Sequence, residues 1–522
     1  MAKQTRAKSS RGGAIFVALG ILVSRFAGLI RERAFAHYFG NTAAADVFRA
    51  ALRIPNLLQN LFGEGALSAS FIPVYAGLNE KDPKEAARVA GIILSLLGLL
   101  MTILVLLGML TTPFLINVIA PGFEGEKRQA AINLVRILFP GIGLLVISAF
   151  CLGVLNSHRH FFVSYAAPVL WNGAMIATLI FFQDDDAYRF AENLAWGAVA
   201  GSFLQVLVQI PSMLRYMKDM RPGLNVTLGP VRTILSRFFP SMMSRGIIQI
   251  NTYVEQMIAS FLPTGALAAI GYAQILYTLP TSLFGTAIAA SNLIDMSTVE
   301  QEKQIAQRLH EGMRHVAFFI IPSAMAFVFM GNILAAVFKT GKFGEEDALY
   351  VWVLLAASAI GLLASTQGRL LATAFYAMKN TTTPLRCSIF RVVTSTAGAL
   401  IFALYLPRIV AMPEAVQTAG ITFASGLAGL LEYFLLRHAI KKFIPFHSMR
   451  WSYVGKLLFS AAFSGLFGAL IYRFLLPFDL HDLVSAGLAI GVFGITYGGL
   501  CLILRVEEAH VMINKARRRL PT

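Results

Sequence analysis

The chain has 522 residues, 57% of them hydrophobic and 14% charged, with a mean hydropathy of +0.67. Soluble domains carry about 25% charged residues, so the composition excludes a soluble globular protein and describes a polytopic membrane protein built from helices. The formal net charge of +17 does not point to nucleic acid, because Lys and Arg collect between apolar segments and at both ends, where membrane topology places them.

In chain order, the N-terminus MAKQTRAKSSRGG is basic and polar and leads into an apolar run interrupted by Arg25, Arg31, Glu32 and Arg33. A cleavable signal needs an uninterrupted apolar stretch and a small-residue cleavage site, so a retained first helix is expected. A spanning helix needs about 20 mostly apolar residues. Fourteen such stretches follow, near 14–38, 44–77, 88–119, 130–155, 161–182, 192–214, 233–261, 265–296, 314–338, 348–377, 384–406, 416–437, 454–476 and 483–505. An even count puts both termini on one side. With the termini inside, the inner segments hold roughly 27 Lys plus Arg and the outer loops about 6, so both ends are expected in the cytoplasm. No linker is long enough for a soluble domain. The basic KARRRL and RHAIKKFIPFHSMR read as topology determinants, an interfacial helix on anionic lipid being the alternative for the latter. Cys151, Cys387 and Cys501 fall in or beside apolar runs without CxxC spacing and read as small buried hydrophobes.

The polar residues inside these stretches carry the functional argument. On the first helix Arg25 and Glu32 are seven apart, on one face, with Arg31 on a neighbouring face. On the second, Asp46, Arg49, Arg53, Asn56, Asn60 and Glu64 are spaced 3, 4, 3, 4 and 4 apart, one stripe of a helix. A charge at the centre of a bilayer helix costs at least about 2.5 to 3.5 kcal/mol, so this stripe must line a wet cavity or a protein interface. Arg suits phosphate because its planar fork gives two parallel hydrogen bonds and never deprotonates. The functional reading is an anion-binding cavity for a phosphate-bearing substrate; the alternative is an internally neutralised network that holds the lobe together or locks a gate. Pro55, Gly63 and Gly65 predict a break in the second helix.

The seventh helix carries Arg245, Asn251 and Glu255, and the eighth Tyr272, Gln274, Tyr277, Thr278 and Thr281. That face is polar but poor in charge, so the positive potential is expected on the first half of the chain. Glu255 is a candidate coupling residue, binding sodium or a proton, or else the partner of Arg245. His158 and His160 read as surface residues. No P-loop, HExxH or nucleophile arrangement is present, so neither a cofactor nor bond chemistry is expected.

The chain also resembles itself at a shift of about 220 residues. SerArg at 24 and 25 recurs at 244 and 245; NVIAPGFEGEKRQAAINLVRILFPGIGLL from Asn117 parallels AAVFKTGKFGEEDALYVWVLLAASAIGLL from Ala335; and HRHFFVSYAAP ending at Pro168 matches FYAMKNTTTP ending at Pro384. Six helices separate the copies, so two six-helix lobes related by an axis along the membrane normal are expected, the arrangement of alternating-access transporters, plus two C-terminal helices. The expected organisation is a basic tail over 1–13, an N-lobe over 14–214, a C-lobe over 215–437, the last two helices over 438–505 and a basic tail over 506–522.

The run SRFAGLIRERAFAHYFGNTAAADVFRAALRIPNLLQNLFGEGALSASFIPVY, with APGF after the third helix and TGKF after the ninth, resembles the MurJ (MviN) family of the multidrug/oligosaccharidyl-lipid/polysaccharide exporter superfamily, the lipid II flippases of bacterial peptidoglycan synthesis. The resemblance covers nearly the whole chain. It implies a multi-pass protein of the bacterial cytoplasmic (inner) membrane whose partner is the undecaprenyl-diphosphate-linked disaccharide-peptide. It makes Arg25, Arg31, Asp46, Arg53 and Glu64 cavity residues, with Arg25 and Arg31 on the diphosphate, and the last two helices a groove for the polyprenyl tail. Coupling to sodium, protons or the membrane potential, and contacts with cell-wall synthesis or division proteins, stay open. Some members carry a further Arg in the stretch aligned with LLQNLF and an Asp-Arg pair followed by Glu in the eighth helix, where this chain has Gln59, Asn60, Gln274, Ile275 and Thr278. Other readings are an exporter of another lipid-linked oligosaccharide, a drug or ion antiporter of the same superfamily, and a membrane scaffold for cell-wall enzymes.

Overall fold

The structure, a computed structural model, describes residues 2–158, 161–286, 288–289, 296, 302–446, 449–478 and 480–517. Two compact units divide the chain, Met1–Ser260 and Phe261–Thr522. The first holds α1 (Ala2–Phe39), α2 (Ala43–Leu58), a π-helical segment (Gln59–Gly65), α3 (Ala66–Lys81), α4 (Pro83–Ile119), α5 (Gly125–Ser157), α6 (Phe161–Phe181), α7 (Ala187–Met217) and α8 (Gly229–Ala259). The second holds α9 (Ala266–Pro280, continued by a π-helical turn Thr281–Thr286), α10 (Glu302–Ala335), α11 (Glu345–Ala377), α12 (Thr382–Ala399), α13 (Glu414–Ile440), α14 (Trp451–Leu475), α15 (Asp482–Ile503) and α16 (Glu507–Arg517). Among the described residues the only extended pairing is the isolated bridge between Thr340 and Phe343.

Helix covers most of the described part of the fourteen apolar stretches, and ten helices, not fourteen, are long and apolar enough by themselves to cross a membrane among the described residues. The others, α1, α2 with α3, α6 and α8, are shorter or interrupted by polar residues, which lowers their hydropathy. Phe459, Phe463 and Phe467 form an exposed ladder on α14, ring centroids 6.3 and 6.4 Å apart. An exposed apolar stripe of this kind suits hydrocarbon and not water. Residues 2–13, expected as a tail, continue α1, since Ala, Lys, Gln and Arg are strong helix formers. The C-terminal tail likewise begins as a helix, α16. Cys151, Cys387 and Cys501 are buried free thiols, as expected.

In the first unit, α1 and α2 form a hairpin turned at Gly40, whose φ of 55 only glycine adopts without strain and whose N–H caps the carbonyl of Ala36 at 2.9 Å. An aromatic layer closes the hairpin: Phe35 meets Phe39 at 4.9 Å and Phe48 at 5.4 Å, and Phe39 stacks on Phe190 of α7 at 4.8 Å. The break expected near Pro55 takes the form of the π-helical segment. Pro55 has no N–H to return to the carbonyl four residues earlier, and the widened turns follow it over Gln59–Gly65. Within it Gly63 lets α5 approach, since a Cβ there would lie 3.3 Å from Ala149. Asp82 and Asp186 cap α4 and α7, each accepting from two backbone N–H groups. His158, expected at the surface, is half-buried, stacked on Tyr216 at 3.7 Å and hydrogen-bonded to Tyr75 at 2.9 Å; His160 lies outside the described residues.

In the second unit, α11 and α13 touch backbone to backbone where Gly361 meets Gly426; a Cβ on Gly361 would lie 2.3 Å from the Gly426 Cα. Leu457 and Ala461 of α14 and Tyr497 and Cys501 of α15 pack with Ala317, Phe318 and Ile321 of α10, and the Tyr497 hydroxyl donates to the Phe318 carbonyl at 2.7 Å. Two ionic fasteners tie the ends of these helices. Lys339, after α10, bridges Glu345 and, at 3.2 Å, Asp482 of α15. Burial alone lowers the pKa of this ammonium, but the two carboxylates outweigh it and hold it above its ordinary value. Arg314 of α10 bridges Glu507 and Glu508 of α16 at 2.8 Å each and lies 4.7 Å over the Tyr453 ring.

Candidate functional site

Glu32 is 6% exposed inside the α1–α2 hairpin, and both its carboxylate oxygens are taken by guanidinium groups, Oε1 by Arg31 and Oε2 by Arg49 at 2.5 Å. Glu32 lies about two turns before the end of α1 and Arg49 about two turns after the start of α2, so the hairpin brings them to one level. Aromatic faces fix the arginines: Arg31 sits 4.9 Å over Trp171 of α6, and Arg49 sits 4.7 Å over Phe35. One carboxylate against two guanidiniums leaves a surplus positive charge within this cluster. That arrangement is suited to an oxyanion.

The rest of the stripe is graded. Asp46 is 1% exposed and accepts from Lys127 of α5 at 2.9 Å, with Lys127 4.5 Å over Phe123. Asp46 is therefore engaged by an ammonium from the loop-proximal end of α5, a partner 81 residues away that the helical period cannot reveal. Arg53 is half-buried; its carbonyl accepts from the Tyr253 hydroxyl at 3.0 Å, and its guanidinium lies in the field of Glu255. Glu255 also accepts from Asn251 at 2.7 Å. The sequence repeat assigned α8 to the second lobe, yet its side chains engage α2, and Gln256 reaches the Ala50 carbonyl at 3.4 Å. Asn56 is exposed and Asn60 half-buried. Arg25 is exposed on α1. The side chains of Glu64 and Arg245 lie outside the described residues.

Beyond the face of the seventh and eighth helices, the second unit carries further charge. Arg391 of α12 and Glu432 of α13 pair at 2.9 Å, Ser388 donates to Glu432 at 2.9 Å, and Arg369 of α11 lies in their field. Each interrupts an apolar helix, so the signal was available: an ionisable residue within a span. Helical periodicity does not reveal these residues, because single charges, unlike the six-residue stripe, show no period. At the other side of α10 an apolar cavity of about 520 Å³ is lined by Phe284, Phe318, Phe319, Pro322, Phe493 and Tyr497. No cluster of His, Cys, Asp and Glu able to hold a metal occurs among the described residues.

Fold and charge together define a polytopic helical membrane protein with two arginines gathered on one buried carboxylate. Solved structures share this fold: a lipid II flippase MurJ in an inward closed conformation matches with a TM-score of 0.77 at 23% identity, over 96% of this chain and 100% of that one. An inward-facing multidrug resistance MATE family transporter of the MOP superfamily matches with a TM-score of 0.66 at 16% identity, over 82% and 98%. The lipid II flippase MurJ family model matches residues 35–487. The chain is 31% identical to the lipid II flippase MurJ of Burkholderia cenocepacia over 434 residues, 81% of this chain and 82% of the relative. It is 29% identical to the probable lipid II flippase MurJ of Haemophilus influenzae over 94% and 99%. This chain belongs to the lipid II flippase MurJ family.

Proposed function

We propose that the protein moves lipid II, the lipid-linked peptidoglycan precursor, from the inner to the outer leaflet of the bacterial cytoplasmic membrane by alternating access, making and breaking no covalent bond. Both termini are cytoplasmic in this reading. The observation that carries it is the Arg31–Glu32–Arg49 cluster, a preorganised pair of guanidiniums at the start of a chain whose residues 35–487 match the family. A diphosphate entering there exchanges water for charge-assisted hydrogen bonds. Arg25 and Arg53 extend the positive surface, and Asn56, Asn60 and Glu64 contribute neutral and acidic hydrogen-bonding groups to the sugar and peptide. Asp46, engaged by Lys127, holds the hairpin to α5. Glu255 takes the coupling role through Arg53, answering to sodium, protons or the membrane potential. The apolar cavity beside α10 and α15 takes the polyprenyl tail, which exchanges lipid for the apolar side chains that line it.

The test is complementation in a cell depleted of its own flippase, scoring growth and the lipid II that accumulates on the inner leaflet. The wild-type chain restores growth and clears lipid II; Arg25→Ala or Arg31→Ala inserts at normal levels and does neither. Normal growth with both arginines removed sinks the assignment.

A further inference from the structure

Three helices of the second unit bring charged side chains to one depth. Arg369 lies about two turns before the end of α11, Arg391 about two and a half turns after the start of α12, and Glu432 about two turns before the end of α13. Lys379, Lys441 and Lys442 mark that end of the helices, the side that the charge bias places in the cytoplasm. Both oxygens of the buried Glu432 are occupied from α12, Oε1 by the Ser388 hydroxyl and Oε2 by Arg391. Glu432 thus compensates one guanidinium and leaves the second.

That second group is Arg369. It is exposed although Gly368 and Leu370 beside it are buried, and among the described residues it makes no hydrogen bond or salt bridge. Its charge nevertheless acts on Tyr277 of α9, Arg391 of α12 and Glu432 of α13. α11 and α13 are packed at this depth, where a Cβ on Gly429 would lie 2.2 Å from the Ser365 hydroxyl, so the exposed Arg369 occupies the space beside the Arg391–Glu432 pair. Facing hydrocarbon without a partner is strongly disfavoured, so this space is wet.

We propose that Arg369, with the remaining donors of Arg391, is an oxyanion site that takes a phosphate group at the cytoplasmic third of the second unit. It rests on the flippase reading, in which the substrate's diphosphate enters from that leaflet. Phosphate arrives there from two sources, the polyprenyl diphosphate and the headgroup of an anionic phospholipid, and the recognition chemistry is shared.

The experiment compares full-length wild type, Arg369→Gln and Arg369→Lys in nanodiscs. One set of discs is phosphatidylcholine titrated with undecaprenyl diphosphate, and the other contains phosphatidylglycerol; bound lipid is read by native mass spectrometry. Arg369→Gln weakens undecaprenyl diphosphate binding about tenfold, the loss of one charge-assisted contact. Arg369→Lys falls between, keeping the charge but not the fork. Retained phosphatidylglycerol that is lost in Arg369→Gln, with undecaprenyl diphosphate unaffected, assigns the site to a lipid headgroup. Unchanged binding of both lipids overturns it. Arg49→Gln separates the two readings. Binding that Arg49→Gln weakens and Arg369→Gln does not removes this site alone, whereas a wild-type chain that neither binds undecaprenyl diphosphate nor restores growth removes the flippase reading. Melting of each variant is the control for folding, and Arg369→Lys keeps the comparison open if Arg369→Gln melts early.

Discussion

Glu32→Ala separates the structural from the functional use of the hairpin cluster. Glu32 is 6% exposed and its arginine partners' side chains 18% and 17%, so solvent screens the cluster little. Deleting one partner of a buried ion pair costs about 3 to 5 kcal/mol, because the charges left behind lose their compensation; partial access of water to Arg31 and Arg49 places the expected loss near 3 kcal/mol. For a cooperative unit of this size a loss of 1 kcal/mol lowers Tm by about 2 to 4 °C, so roughly 6 to 12 °C is expected. The assay is intrinsic-fluorescence melting of the purified protein in detergent. Replacing the pair Glu32 and Arg49 by methionines removes one charge of each sign but leaves Arg31 without its carboxylate, so stability returns only in part, and flippase-depleted cells stay without growth, because the substrate reads the Arg49 charge. A Glu32→Ala melt within about 1 °C of wild type would refute the energetic argument. Growth restored by the double variant would make the cluster a fastening and not a binding site.

Three further outcomes follow from the geometry. Lys127→Met takes the ammonium from the buried Asp46 carboxylate and costs about 3 kcal/mol, and exchanging the two residues, Asp46→Lys with Lys127→Asp, recovers at least about half of that in the same melting assay. Single cysteines at 53 and 56 react with a water-soluble maleimide about tenfold faster than cysteines at 46 and 47, whose native side chains are buried, and the three native cysteines are buried and add little background; equal rates at all four positions refute the graded stripe. Arg314→Gln releases α16 from α10, so trypsin cleaves between residues 505 and 517 about tenfold faster, the equivalent of losing about 1.4 kcal/mol of docking; unchanged proteolysis means that the ion pairs do not hold the helix.

Local physics determined much of this protein from sequence by itself. Apolar runs long enough to span a bilayer marked the helices, because in hydrocarbon every backbone N–H and C=O must be satisfied within its own segment. The period of the α2 stripe identified the face that cannot meet lipid, and Pro55 with Gly63 and Gly65 marked where that helix changes character. Which charge meets which was decided by the tertiary structure. Asp46 shares a stripe with Arg49 and Arg53, yet its partner is Lys127; Glu32 joins Arg49 across a turn; Glu255 acts on Arg53 of α2 although the repeat had set α8 apart from it. Arg369, Arg391 and Glu432 are scattered single charges along the chain and become a cluster only where three helices stand side by side. Periodicity reports the face of one helix, whereas pairing depends on the depth and rotation of its neighbours, which are set by packing between residues far apart in sequence.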